Sequence, residues 1–151
     1  MKQSHLRPIL WAALSSLLTC VPEPGALYAS SEMADFENVE WTLTQLDGAA
    51  IAPTSRGAPT LKLASKERRA SGFAGCNRYT GGYELNGTSL RFGNLAVTRM
   101  ACVEPTPETA VLKALEDTVS WKVDGRTLEL SDATTVRARW TVTSVEAGDK
   151  P

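Results

Sequence analysis

Histidine is nearly absent from this chain: one His stands among 151 residues, at position 5. It lies within residues 1–29, a segment expected to be removed. The remainder carries no imidazole, so it has no base for a Ser–His or Cys–His pair and no His metal ligand. An excess of either charge is also missing. Sixteen Lys+Arg stand against 17 Asp+Glu, a net charge of −1, which provides no global field for nucleic acid or anionic lipid. The three cysteines, Cys20, Cys76 and Cys102, form no Cys-x-x-Cys motif, so no such redox pair is present. The apolar run Ile9–Cys20 has 12 residues, short of the roughly 20 that a spanning helix needs, and no later stretch approaches that length. What is present is ordinary for a folded protein: 42% hydrophobic and 22% charged residues, with a length suited to one domain plus a targeting segment.

Residues 1–29 read as that segment. Lys2 and Arg7 precede the apolar run, Pro22, Pro24 and Gly25 end it, and Ala29 is a small residue for cleavage, the three-part order of a secretory signal. Export to the periplasm or medium, with Ser30 as the new N-terminus, is the expectation. Leu17-Leu18-Thr19-Cys20 gives an alternative, a lipobox in which Cys20 is lipidated and the protein becomes an outer-membrane lipoprotein; Thr19 fits that motif poorly. Membrane association is expected only in that case. Cleavage after Ala29 removes Lys2, Arg7 and Glu23, leaving 14 basic and 16 acidic residues, net −2. It also leaves Cys76 and Cys102 as an even pair in an oxidising compartment.

The rest alternates with the period of strands. Residues 30–38 are polar and are expected to be a flexible lead-in. Glu40–Leu46 places Trp41, Leu43 and Gln45 on one side; residues 47–60 read as loop; 61–64 and 69–74 flank the charged turn Lys66-Glu67-Arg68. Two similar hairpins follow, 83–92 around Asn86-Gly87 and 121–130 around Asp124-Gly125, dipeptides that suit a type I′ turn. Their likeness is either convergence of tight hairpins or an internal repeat. The closing strand, 134–142, carries Trp140-Thr-Val-Thr, an echo of Trp41-Thr-Leu-Thr that brings first and last strands close. Residues 106–119 are predicted helical: Thr106 as N-cap, Pro107 at the first position, Glu108 at the positive dipole end. Val111, Leu112, Leu115 and Val119 form its apolar face, to be packed on the sheet. Together, about eight short antiparallel strands and one packed helix make an α+β domain.

The densest signal is Gly75-Cys76-Asn77-Arg78-Tyr79, then Gly82-Tyr83, then Thr98-Arg99-Met100-Ala101-Cys102. With Trp41-Thr-Leu, the helix after Cys102 and Leu128-Glu129-Leu130 in the same order, the chain resembles the META domain family (HslJ-like heat-shock proteins) over residues 39–143, followed by a polar tail, 144–151. The resemblance implies a small, mostly antiparallel domain in bacterial envelope proteins, some of them lipoproteins. Family members are associated with heat shock, novobiocin resistance and, in trypanosomatid relatives, motility or secretion. It supplies no catalytic residues and no cofactor.

Read directly, the glycines around Cys76–Thr80 make either a tight bulged strand and turn or a rigid loop presenting Asn77, Arg78 and Tyr79. Arg78 and Arg99 are candidates for an anion clamp, although each alone reads as a surface or paired cation. Asn77 can also cap a turn. Met100 is expected in the core. Two thiolates without His make a poor zinc set, so no metal is expected. A Cys76–Cys102 disulfide is favoured by the export signal, the even count and the place of each Cys in a family word; two buried free thiols are the alternative. Carboxylates at Glu84, Glu104, Asp117 and Glu129 form no acid–base motif. The expectation is a non-enzymatic envelope protein serving stress tolerance or envelope maintenance, with an envelope protein or ligand as partner. The alternative is a small-molecule, lipid or peptide binding module using the glycine-rich segment.

Overall fold

The alternation in Glu40–Leu46 is half of a closed seam. In the computed structural model, which describes residues 36–103 and 105–142, this strand, β1, pairs antiparallel with the last strand, β10 (Val136–Val142). Trp41 faces Val142 and Leu43 faces Trp140, so the two Trp-Thr words do lie side by side. Between them run β3 (Thr60–Ala64), β4 (Arg69–Phe73), β5 (Arg78–Asn86), β6 (Ser89–Phe92), β8 (Ser120–Asp124) and β9 (Thr127–Ser131). Each pairs antiparallel with its neighbour, and the β1–β10 pairing closes the ring. A closed antiparallel ring leaves no long unpaired edge. Its weakest joint is β6 to β8, a single register pair, Ser89 with Ser120.

These eight strands are the eight expected. Two more are present among the described residues: β2 (Ala49–Ala50) beside β1, and β7 (Ala96–Val97) beside β5. The domain is therefore mostly β, with ten strands rather than eight. Asp47 and Gly48 both have positive φ, 47° and 80°, between Leu46 and its partner Ala49. That is a type I′ turn where only a loop was expected. The two later hairpins differ from expectation by one residue. Asn86 pairs with Ser89 and Asp124 with Thr127, which makes Gly87-Thr88 and Gly125-Arg126 the loop residues. Only the glycines have positive φ, 56° and 57°, as in a type II′ turn.

The ring interior is filled by side chains from alternate positions, among them Trp41, Leu43, Leu61, Leu63, Leu90, Leu128, Leu130 and Trp140. A register shift between Leu43 and Gln45 changes the phase of β1, so Leu46 turns inward and Gln45 does not. The helix α1 (Glu108–Glu116) packs against β1, β6 and β10. Val111, Ala114 and Leu115 are buried and Leu112 is half-buried.

The helix is shorter than the expected 106–119. Its N-cap is Pro107, not Thr106, with no side-chain cap; the Pro107 carbonyl takes the first helical bond, from the Val111 N–H at 2.8 Å. At the other end Val119 donates to the Ser131 carbonyl at 2.9 Å, which draws it into the sheet. Arg137 fastens this end. Its guanidinium lies 2.7 Å from Asp47, 3.4 Å from Asp132 and 3.9 Å from Asp117, joining the β1–β2 turn, the β9–β10 turn and the helix C-cap.

Three residues of the expected lead-in belong to the fold. Phe36 is fully buried, stacks on Trp121 with ring centres 4.2 Å apart, and accepts the Trp41 indole N–H at its carbonyl. The Tyr83 hydroxyl bonds the Glu37 carboxylate, and Asn38 holds Ser65 by side chain and backbone. No helix among the described residues is long and apolar enough to cross a membrane.

Candidate functional site

The two dense words meet at the N-terminal end of α1. Gly75 has φ +106°, and a Cβ there would stand 2.9 Å from Pro107 Cδ, so only glycine lets the chain turn beneath the start of the helix. Next to it Cys76, buried, is disulfide-bonded to the exposed Cys102, with Cα atoms 6.0 Å apart, inside the usual span for such a bridge.

Asn77 is only 4% exposed, and each of its polar groups has a partner. Its backbone N–H donates to Glu108 Oε2 at 2.7 Å, and its side-chain Nδ2 donates to Glu108 Oε1 at 3.2 Å and to the Met100 carbonyl at 3.4 Å. Its Oδ1 accepts from the Met100 N–H at 2.7 Å and the Thr98 hydroxyl at 2.9 Å, and its carbonyl accepts from Ala74 N–H. Nδ2 also lies 3.7 Å and 3.8 Å from the two bridged sulfurs. One asparagine thus ties the glycine-rich turn, the 98–102 segment and the helix together. Sequence reasoning assigned Glu108 only to the helix dipole; its second task, receiving Asn77, had no local signal.

Tyr79 is buried and donates to the Thr60 carbonyl at 2.8 Å. Gly72 makes room for this contact: a Cβ there would meet the Thr60 carbonyl oxygen at 2.0 Å and the Tyr79 hydroxyl at 2.7 Å. Burial pushes the Tyr79 hydroxyl pKa far above that of an ordinary tyrosine. Asn77 and Tyr79 are therefore largely interior residues, reaching the surface only as part of groove walls. Arg78 and Arg99 are exposed, but they do not converge. Arg78 lines two adjoining grooves on the outer face, of about 460 and 540 Å³, while Arg99 lines a third of about 900 Å³ against α1, which shares Val97 and Thr98 with the first and Thr98 and Met100 with the second. The two guanidinium groups line no common groove. Met100, expected in the core, is 50% exposed, because its backbone is held by Asn77 at the surface. Cys20 lies outside the described residues.

The two sulfurs and the Glu108 carboxylate lie within 4.8 Å of one another. With the sulfurs bonded to each other no thiolate is on offer, and three groups fall short of the usual four-ligand structural set.

The META domain profile matches residues 34–148. The chain belongs to the META domain family. The match begins ahead of residue 39, consistent with Phe36 and Asn38 being bound into the ring. An NMR structure of a protein from Burkholderia xenovorans is similar to this META domain, with 30% identity over 89% of this chain and 100% of that one and a TM-score of 0.62. A second NMR structure, 20% identical over 72% of this chain and 92% of that one, has a TM-score of 0.58 and shows likeness of fold alone. No curated protein matches.

Proposed function

We propose that this META domain protein is exported, is not an enzyme, and serves envelope maintenance or stress tolerance. The observation that carries the reading is the oxidised Cys76–Cys102 bridge at the centre of the Asn77 network, since such bridges persist in oxidising compartments. The signal-like order of residues 1–29 supports the same compartment. The carboxylates also support a non-catalytic role. Asp117 is paired with Lys113 at 2.9 Å and Glu129 with Arg139 at 2.7 Å, and Glu84 is exposed on an outer strand face. A lipidated Cys20 remains the alternative route to the envelope.

Intact-mass spectrometry of the protein from its producing cell tests the export step. A mass starting at Ser30 is expected. A diacylglyceryl-Cys20 mass would move the protein to the lipoprotein class, and an uncut Met1 would contradict export. Deletion of the chain should lower survival under heat or envelope-damaging antibiotics; unchanged survival would contradict the role in stress.

A second reading, a binding module, is favoured by one observation: the exposed Arg78 side chain lines both outer grooves while its backbone is locked to Thr98.

A further inference from the structure

The outer face of the sheet carries one cross-strand row: Glu40 pairs with Lys62, Lys62 with Ser71, Ser71 with Thr80 and Thr80 with Ala96. This row floors the 460 Å³ groove, and Arg78 stands on the wall it shares with the 540 Å³ groove. Lys62, Arg78 and, in the second groove, Arg56 set three cations against one carboxylate, Glu40. Arg68, Lys113, Arg137 and Arg139 are each ion-paired elsewhere. Lys62 and Arg78 have no acidic partner within ion-pair reach among the described residues. Arg78 is also held firmly. Its N–H donates to Thr98 Oγ1 at 3.1 Å and its carbonyl accepts from the Thr98 N–H at 3.0 Å, one residue from Asn77. Phe73, Val97 and the half-exposed Met100 supply an apolar wall.

We propose that this double groove binds an organic anion, a carboxylate or phosphate on an apolar body, with the anionic group on Arg78 and Lys62 and the body along Phe73, Val97 and Met100. A guanidinium engages either oxyanion by paired hydrogen bonds, and each lobe has the volume of a small-molecule site. The proposal deepens the binding-module reading and does not depend on export.

The test is a ¹⁵N-resolved NMR titration of the full chain with octyl phosphate below its micelle concentration, with neutral octyl glucoside as control. Saturable shifts at Thr60, Arg78, Val97 and Thr98 are expected with octyl phosphate only. Arg78→Gln should weaken binding at least about tenfold, as one lost charge-assisted pair implies, and Arg99→Gln, which lines neither lobe, should leave it unchanged. Lys62→Gln provides an independent reading if Arg78→Gln does not fold. Equal binding of octyl glucoside, no saturable shift, or equal weakening by Arg99→Gln would overturn the proposal. Sedimentation with phosphatidylglycerol vesicles separates the sources of the anion. Retention that depends on Arg78 assigns the site to a lipid headgroup, and no retention with octyl phosphate binding intact assigns it to a free anion.

Discussion

At Asn77 an amide does what a carboxylate of nearly the same shape could not. Its Nδ2 donates to Glu108 while its Oδ1 accepts from Thr98 and Met100. Asn77→Asp keeps the size and the acceptor, and sets one carboxylate against another in a buried place. Both would then be held more readily in the protonated form when folded than when unfolded. A folded-state pKa above the unfolded one means stability falls as pH rises through it. Asn77→Asp is therefore expected to be clearly destabilised at pH 7, by about 1–3 kcal/mol or more, with the deficit shrinking towards pH 4 in denaturant melts. A deficit independent of pH would contradict the Asn77–Glu108 contact. Asp132 shows the opposite sign. Its Oδ1 accepts from the Thr134 and Thr135 N–H groups and the Thr134 hydroxyl, which lowers its pKa from 3.8 to about 2. Its contribution is present above the unfolded value and is lost as pH falls through about 2. A carboxyl titration midpoint near 2 is expected by NMR, and one near 3.8 would mean the turn is open in solution.

At the scale of elements, α1 is held at both ends, by Glu108 to Asn77 and by Asp117 to Arg137, with Leu115 fully buried between them. Leu115→Ala should cost about 2–5 kcal/mol, the range for truncating a core leucine. An unchanged denaturant midpoint would mean the helix face is not packed. The eight ring strands were legible in the sequence because each is long enough to show alternation, and the Trp41 and Trp140 words foretold their pairing. The two-residue strands β2 and β7 were not, since two residues carry no period. The Thr44 region could not be read either: a bulge reverses inside and outside without any composition signal. The site was half legible. The GCNRY and TRMAC words marked the segments that meet at the start of α1, but not which side chains face water. The odd-numbered series Tyr79, Gly81, Tyr83 on one strand held the signal that Tyr79 points inward and Arg78 outward. The helix start moved by one residue and its end by three because tertiary partners, Gly75 under Pro107 and Ser131 beside Val119, chose among near-equal local options.

For the whole molecule, the ring closed by β1 and β10 is mainly a scaffold, and the Cys76–Cys102 cross-link sits where the sheet, the 98–102 segment and the helix meet. The bridge closes a loop of 26 residues, for which chain entropy alone gives roughly 3.5 kcal/mol, a large share of the stability of a small domain. It also ties Cys76, two residues before Arg78, to the 98–102 segment. The two family words are halves of one oxidised clasp. Thiol labelling under denaturing, non-reducing conditions, on protein recovered from outside the cytoplasm of its producing cell, tests it most directly. No labelling at Cys76 or Cys102 is expected until a reductant is added; quantitative labelling of both without reductant would contradict the clasp.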